Sequence, residues 1–211
     1  EKALSGFLDA YWGITFQRMF DMSNDSHLFR TREQPEAEGL VLDGNILRDN
    51  GETDLLLYEA KMMYQYDHRF GTYRSASEAN INEGNLPQLT AGMHGDPEYL
   101  SRSRYLVSRE EVDARLGDRR GGRWLIAFRD ITGNTAERTT IVSVLPRVAV
   151  GHTAPLVFFG ETVLRCGVAA FLANRNSRVL GYVARQKRGG AHLPYFILKQ
   201  LPVLRPESYK D

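Results

Sequence analysis

The chain has very little cysteine and no long apolar run. Cys166 is the one cysteine among 211 residues, so no disulfide can form within the chain, as is usual in a reducing cytosol. It lies in an apolar helical pattern, which predicts a buried side chain rather than a nucleophile. No stretch approaches the roughly 18–20 apolar residues of a membrane span, and no signal-peptide pattern is recognisable. The sequence therefore predicts a cytoplasmic protein with no membrane partner.

The common signatures of catalytic and cofactor sites are also missing. No Gly-x-Gly-x-x-Gly follows a strand pattern, and no P-loop, zinc-spaced Cys/His cluster or Gly-x-Ser-x-Gly elbow occurs. The tetrapeptide Asn/Asp-Pro-Pro-Tyr/Phe, with which amino-methyltransferases hold a flipped base, is absent too. The sequence thus predicts no catalytic residue, no metal and no cofactor bound by the chain itself.

Charge is unevenly distributed, although the net charge is only +1. Residues 1–60 hold 5 Lys/Arg against 12 Asp/Glu, a net charge of −7. Residues 61–160 carry a net +2, and residues 161–211, with 9 basic against 3 acidic side chains, carry +6. A polyanion is therefore expected to bind the last third of the chain and to avoid the first.

Residue patterns predict an α+β fold, with mixed small sheets and a C-terminal helical pair. A capping box at Ser108 predicts a helix that ends near Gly117. The other predicted helices cover residues 31–39, 58–68, 161–174 and 177–187, the last with an apolar stripe of Val179, Leu180 and Val183. The predicted strands cover residues 12–20, 40–47 with a turn at Asp43-Gly44, 124–131, 139–146 and 195–201.

Residues 74–98 are rich in Ser, Asn, Gly, Glu and Pro, which predicts a long irregular or disordered segment. This segment divides the chain into parts 1–73, 74–98 and 99–211. Because the sequence opens at Glu1 rather than Met, we expect it to be a piece of a longer polypeptide.

Two polar clusters are candidates for contacts with nucleic acid. The first is Gln65, His68 and Arg69; arginine suits guanine or phosphate through its bidentate fork, and glutamine suits adenine. The second surrounds the Gly189-Gly190 turn, where backbone N–H groups can approach a phosphate closely. It consists of Arg185, Lys187, Arg188, His192 and Lys199. The simpler alternatives are a hydrogen-bonded histidine at the end of an element and a solvated helix terminus.

Several motifs occur here in the same order as in a known family. They are residues 12–31, Leu57-Tyr-Glu-Ala-Lys-Met62, Tyr66-Asp-His-Arg-Phe70, residues 135–141, Leu145-Pro146, Asn176-Ser177 and residues 186–202. This ordered set resembles the region after the catalytic domain in large bacterial adenine-N6 DNA methylases of restriction–modification and related phage-defence systems. The resemblance covers most of the chain except residues 74–98, and it departs from the family at Ala60, where relatives tend to have glycine.

The resemblance implies a target-recognition domain that grips double-stranded DNA and selects its sequence. In that family a separate N-terminal methylase domain binds S-adenosylmethionine and carries the Asn-Pro-Pro-Tyr motif. The expected partners are therefore duplex DNA and that domain, and this chain alone is expected to be inactive as an enzyme.

Two rival functions stay open. Glu59-Ala60-Lys61, with Asp43 and Asp54 upstream, has the residue types of a metal-dependent nuclease, in which carboxylates hold Mg²⁺ and a lysine orients water. Alternatively, the acidic first third is the surface of a subunit-docking module.

Overall fold

The computed structural model describes residues 7–31, 41–43, 46–49, 52–133 and 136–209. It has the predicted α+β class, with one antiparallel and one mostly antiparallel sheet that share one core, and a group of helices that covers the outer face of one sheet. The helices are α1 (Phe7–Trp12), α2 (Glu78–Glu83), α3 (Ala91–Gly95), α4 (Arg109–Leu116), α5 (Arg165–Arg175), α6 (Arg178–Lys187) and α7 (Tyr195–Gln200). Short 3-10 turns cover Ser26–Leu28, Ala60–Met62, Gly117–Gly121 and Pro206–Tyr209.

The strands form a four-stranded and a six-stranded sheet. They are β1 (Thr15–Gln17), β2 (Arg30–Thr31), β3 (Val41–Asp43), β4 (Ile46–Asp49), β5 (Glu52–Tyr58), β6 (Tyr105–Ser108), β7 (Trp124–Phe128), β8 (Val142–Pro146), β9 (Ala149–Val150) and β10 (Leu156–Phe158). The four-stranded sheet has the order β1-β10-β7-β8, and the six-stranded sheet has the order β2-β6-β5-β4-β3, with β9 parallel to β5. Strands from before and after residues 74–98 pair in both sheets.

The four-stranded sheet is buried on both faces because its strands alternate between two cores. Leu125 and Ala127 of β7 contribute to a central core shared with β5, β6 and α4. Ile126 and Phe128, one residue out of phase, contribute to a helical core with α1, α5, α6 and α7. The helices are therefore fixed on the outer face of this sheet, with α6 exposing its other side to solvent.

Several predicted elements are confirmed. Ser108 caps α4 through a hydrogen bond from the Glu111 N–H, and α4 ends at Gly117. The strands predicted near 124–131 and 139–146 are β7 and β8, and the C-terminal helical pair is α5 and α6. Strands β3 and β4 pair as the predicted hairpin. The helix predicted over 31–39 lies outside the described residues.

Other predictions are wrong. Residues 195–201 are mainly helix α7, because the apolar residues Ile197, Leu198 and Leu201 share one helical face and enter the helical core. Residues 58–68 are not a helix, since β5 continues to Tyr58, where it pairs with β9. Of the strand predicted over 12–20, only Thr15–Gln17 forms a strand, β1. Trp12 is the last residue of α1, and Gly13 follows it in the left-handed region, with a φ of 55°, so an extended strand cannot begin there.

Two predicted buried side chains are exposed instead. Cys166 lies on the outer side of α5. Val179 of α6 is 75% exposed, and the buried stripe of that helix consists of Leu180 and Ala184, with Val183 packed beside them. Within residues 74–98, helices α2 and α3 interrupt the segment predicted to be irregular, and Ser77 starts α2 with a capping box.

Candidate nucleic-acid interface

Helix α6 presents a basic and aromatic stripe to solvent. Arg178, Tyr182 and Arg185 follow the spacing i, i+4, i+7, so they lie on one side of the helix, opposite the buried Leu180 and Ala184. The Tyr182 side chain is 67% exposed. Ser177 begins the helix by accepting a hydrogen bond from the Leu180 N–H. An exposed tyrosine between two arginines is typical of a nucleic-acid-binding surface.

A polar groove of about 220 Å³ runs beside this stripe, and we call it the α6 groove. One wall is the stripe itself with Ser177 and Gly181, and the other is residues 137–140, including Arg138. Thr140 lies at the groove with only 1% of its surface exposed, and its hydroxyl oxygen has no hydrogen-bond partner among the described residues. The arginines and this hydroxyl are suited to an anionic oxygen, such as that of a phosphate, although Glu137 also lines the groove and its carboxylate lies 3.6 Å from Arg138 Nε.

Arg185 and Arg188 hold the loop that forms the second wall of the groove. Arg185 donates to Thr139 Oγ1 at 3.1 Å and to the carbonyls of Ala136 and Glu137 at 2.5 and 3.1 Å. Arg188 donates to the carbonyl and hydroxyl oxygens of Thr132. Burial lowers the pKa of Arg188, and the nearby Arg185 lowers it further. Arg185 therefore contributes to the shape of the groove as well as to its charge, whereas Arg188 holds the chain at Thr132, outside the groove lining.

Lys187 and Arg178 differ from those two arginines, because neither makes a hydrogen bond or ion pair with a residue that the structure describes. Both are exposed on α6, but Lys187, nine residues after Arg178, lies on the side of the helix opposite the stripe. Their charges are therefore available to a ligand without the loss of an internal contact.

Gln65 fixes a tight turn against the α6 groove. Its amide nitrogen donates to the carbonyl of Thr140 at 2.7 Å and to that of Asn176 at 3.1 Å. Asn176 in turn exchanges two hydrogen bonds with the backbone of Val142, at 2.9 and 2.8 Å. The Gln65 amide nitrogen is thus used within the fold, at the junction of β8, α5 and α6.

Tyr66 projects from the same turn and is 60% exposed. Its backbone N–H donates to the Val142 carbonyl at 3.4 Å, whereas its ring makes no aromatic or hydrogen-bonded contact with the described residues. Sequence reasoning missed this residue, together with Arg138, Arg178 and Tyr182. The i, i+4, i+7 spacing of Arg178, Tyr182 and Arg185 is the signal in the sequence that indicates the stripe.

Arg69 and His68 lie on the other side of this turn. The Arg69 guanidinium donates to the carbonyls of His94, Asp96 and Tyr99 at 2.8, 2.8 and 3.2 Å, so it holds the segment that follows α3. His68 is half-buried; burial lowers its pKa, and the cation of Arg69 lowers it further. Base readout by Gln65, His68 and Arg69 stays a prediction, and each contact with a base has to compete with these internal interactions.

His192 and Lys199 lie beyond the end of α6. The His192 side chain is 63% exposed, and its Nδ1 is 3.5 Å from Asp130 Oδ2, which also accepts a hydrogen bond from Arg18 at 2.8 Å. Lys199 of α7 lines a shallow depression with Tyr195 and Phe16. The structure therefore does not bring Lys199 to the α6 groove.

The residues of the nuclease hypothesis are engaged in ion pairs. Glu59 accepts a hydrogen bond from the Tyr73 hydroxyl at 2.5 Å, and Lys61 Nζ lies 3.3 Å from the other oxygen of Glu59. The buried Asp54 pairs with Arg30 at 3.1 Å. Among the residues that the structure describes, no group of three His, Cys, Asp or Glu side chains is arranged to hold a metal ion. The side chain of Asp43 lies outside that description.

A second and larger groove, of about 700 Å³, lies at the ends of β7 and β10, and we call it the Trp124 groove. Its lining is mainly apolar, with Arg119, Arg123 and Arg165 at its edges. The Arg119 guanidinium stacks on Phe158, 4.4 Å from the ring centroid. Each of the two grooves is lined by three arginines. The other residues that line the Trp124 groove are mainly apolar, whereas those of the α6 groove are mainly polar.

No protein-family model matches the chain, and no curated protein matches it either. Within the described ranges, no helix is both long and apolar enough to cross a lipid bilayer.

Proposed function

We propose that the chain is the DNA-binding, target-recognition portion of an adenine-specific DNA methyltransferase or a fused restriction–modification protein. The observation that carries this proposal is the outer face of α6, where arginine and tyrosine side chains line a polar groove. The resemblance of the ordered motifs to adenine-N6 methylases supplies the enzyme class.

The dimensions of α6 suit a groove of duplex DNA. An α-helix with its side chains is about 10–12 Å across, and the major groove of B-DNA is about 12 Å wide, enough for one helix. Arg178 contacts a phosphate, and Tyr182, one turn further along the same side of the helix, packs against sugar or base edges. Arg138, across the groove, would have to exchange its ion pair with Glu137 for a phosphate contact.

In this proposal the chemistry is performed elsewhere in the parent protein. The methylase domain supplies S-adenosylmethionine and the base-holding tetrapeptide, and it transfers the methyl group to the adenine N6. The chain described here holds the duplex and selects the site. The purified chain is therefore expected to transfer no labelled methyl group from S-adenosylmethionine to DNA.

Amide hydrogen exchange tests the surface directly. With a short duplex added to the chain, we expect slower exchange in α6 and residues 136–140, and no change around Trp124 and Arg165. The Trp124 groove is the internal control, because it also carries arginines and an exposed aromatic ring. Protection confined to the Trp124 groove, or no protection at all in α6 and residues 136–140, would contradict the proposal.

A further inference from the structure

Tyr66 occupies a backbone position at which tyrosine is unfavourable. Tyr64 and Asp67 exchange two backbone hydrogen bonds, at 2.7 and 3.1 Å, which makes Gln65-Tyr66 a two-residue turn. Tyr66 has a φ of 61°, and among the described residues it is the one non-glycine residue with a positive φ. This left-handed conformation disfavours residues with a Cβ atom, whereas glycine adopts it freely.

The fold does not use the tyrosine ring to offset that strain. The ring is 60% exposed, and it forms no aromatic contact or hydrogen bond with the described part of the chain. Strained residues that are not explained by packing are concentrated at binding sites. The position therefore requires another reason for an aromatic side chain.

The turn holds the ring on a rigid base. Beneath it, Tyr64 and Phe70 stack with centroids 4.7 Å apart, and the Asp67 carboxylate accepts the N–H of Arg69 at 2.7 Å. On the other side, Gln65 ties the turn to Thr140 and Asn176. The backbone that carries the ring is therefore held in place, so binding of a flat ligand has to order only the Tyr66 side chain.

The neighbouring charges indicate which flat ligand is suitable. Gln65, the residue before Tyr66, lines the α6 groove together with Arg178, Tyr182 and Arg185. A ligand that spans both features has a planar aromatic part for the ring and an anionic part for the arginines. A nucleotide within a polynucleotide has both parts, and its base can stack on an aromatic side chain.

We propose that the Tyr66 ring stacks on a nucleobase at a step where the duplex is locally opened. This inference rests on the proposed function, because it requires nucleic acid on the α6 face. In a regular duplex both faces of each base are already covered, so Tyr66 finds a free face only beside an unpaired or displaced base. A duplex in which one base is unpaired already should therefore bind more tightly than a fully paired one.

The experiment compares two duplexes that differ by one unpaired base, by fluorescence anisotropy with the chain as it is. We expect the duplex with the unpaired base to bind about tenfold more tightly, which corresponds to about 1.4 kcal/mol, at the low end of base–aromatic stacking. In Tyr66→Gly this preference should disappear, whereas Tyr66→Phe should retain it because the ring is kept. Phe196→Ala, which removes another exposed aromatic ring, should leave it unchanged.

Tyr66→Gly also separates loss of stacking from loss of folding. Glycine relieves the strain at φ 61°, so this variant should melt at the same temperature as the original chain or higher. A preference retained by Tyr66→Gly, or equal binding of both duplexes by the original chain, would overturn the inference and leave the proposed function standing. Failure of the original chain to bind any duplex would overturn both.

Discussion

At the scale of single residues, Gly13 is required by a close approach of two backbone segments. It has a φ of 55°, and a Cβ atom added to it would lie 2.9 Å from the Cα atom of Gly160. The same segments are joined by a hydrogen bond of 3.1 Å from the Gly160 N–H to the Trp12 carbonyl. This contact connects the end of α1 to the segment that leads from β10 to α5.

We therefore expect Gly13→Ala to be strongly destabilising. The left-handed backbone alone costs about 1–2 kcal/mol for alanine, and the clash with Gly160 adds to that. Gly84→Ala is the matched control, because Gly84 has a φ of 72° but no atom within 4 Å of an added Cβ. Urea denaturation should show a larger loss of unfolding free energy for Gly13→Ala; equal losses would show that the backbone approach is unimportant.

Asp25 is the residue from which we predict a dependence on pH. The hydrogen bond from Arg115 lowers the pKa of Asp25 most, and the Asp21 N–H lowers it further. Because the folded-state pKa lies below the unfolded value of about 3.9, the stabilisation is complete above that value. It is lost as the pH falls through the folded-state pKa.

Asp25→Asn should therefore reduce stability at neutral pH by about 1 kcal/mol, a value that allows for solvent screening of this partly exposed pair. The difference from the original chain should shrink once the pH falls below about 4. Thermal melts across this range measure it. A difference that stays constant down to the lowest pH would show that the charge of Asp25 is not the cause.

At the scale of elements, Gly181 weakens α6 without an evident packing reason. An added Cβ atom would meet only Thr140 Oγ1, at 3.8 Å, which is an ordinary contact. Gly181→Ala should thus stabilise the chain by about 0.5–1 kcal/mol through helix propensity. In α5, Gly167→Ala should gain less, since its Cβ atom would lie 3.3 Å from Val163 Cγ1. Melting temperatures of the two variants test this order, and a loss of stability in Gly181→Ala would contradict it.

Elements with local signals were predictable from the sequence, whereas short apolar runs were not. The Ser108 hydroxyl caps α4 as its spacing predicts, because the capping hydrogen bond connects residues only three apart. Residues 195–201 have no such signal at either end, and a run of that length suits a strand and a helix equally well. Packing favours the helix α7, because as a helix Ile197, Leu198 and Leu201 share one face and are buried together in the helical core.

At the scale of the whole molecule, the sequence indicated a candidate region but not the contacts that its residues make. Gln65 and Arg69 are polar residues in an aromatic segment, a pattern that predicts contacts with a ligand. Their amide and guanidinium groups instead meet backbone carbonyls up to 111 positions away in the sequence. Residue type does not indicate which of several distant acceptors a donor will meet. The exposed Tyr66 between them was the residue that the fold left available.

The basic residues of the last third likewise fall into two groups, those that form hydrogen bonds within the fold and those that do not. Arg185 holds residues 136–139, so replacing it would alter the shape of the α6 groove together with its charge, and replacing Arg188 would release Thr132. Arg178 and Lys187 have no such contact within the described residues. They are therefore the residues whose replacement changes charge with the least effect on structure.

The salt dependence of duplex binding is the most direct test of the α6 face as a DNA-binding surface. Each phosphate contact contributes about −0.9 to the slope of log K against log salt. The variant Arg178→Ala should bind more weakly, with a slope shallower by up to about one contact. The control Arg165→Ala removes the same charge from the Trp124 groove and should keep the original slope. Equal slopes for the original chain and the α6 variant, or the larger change in the control, would contradict the account.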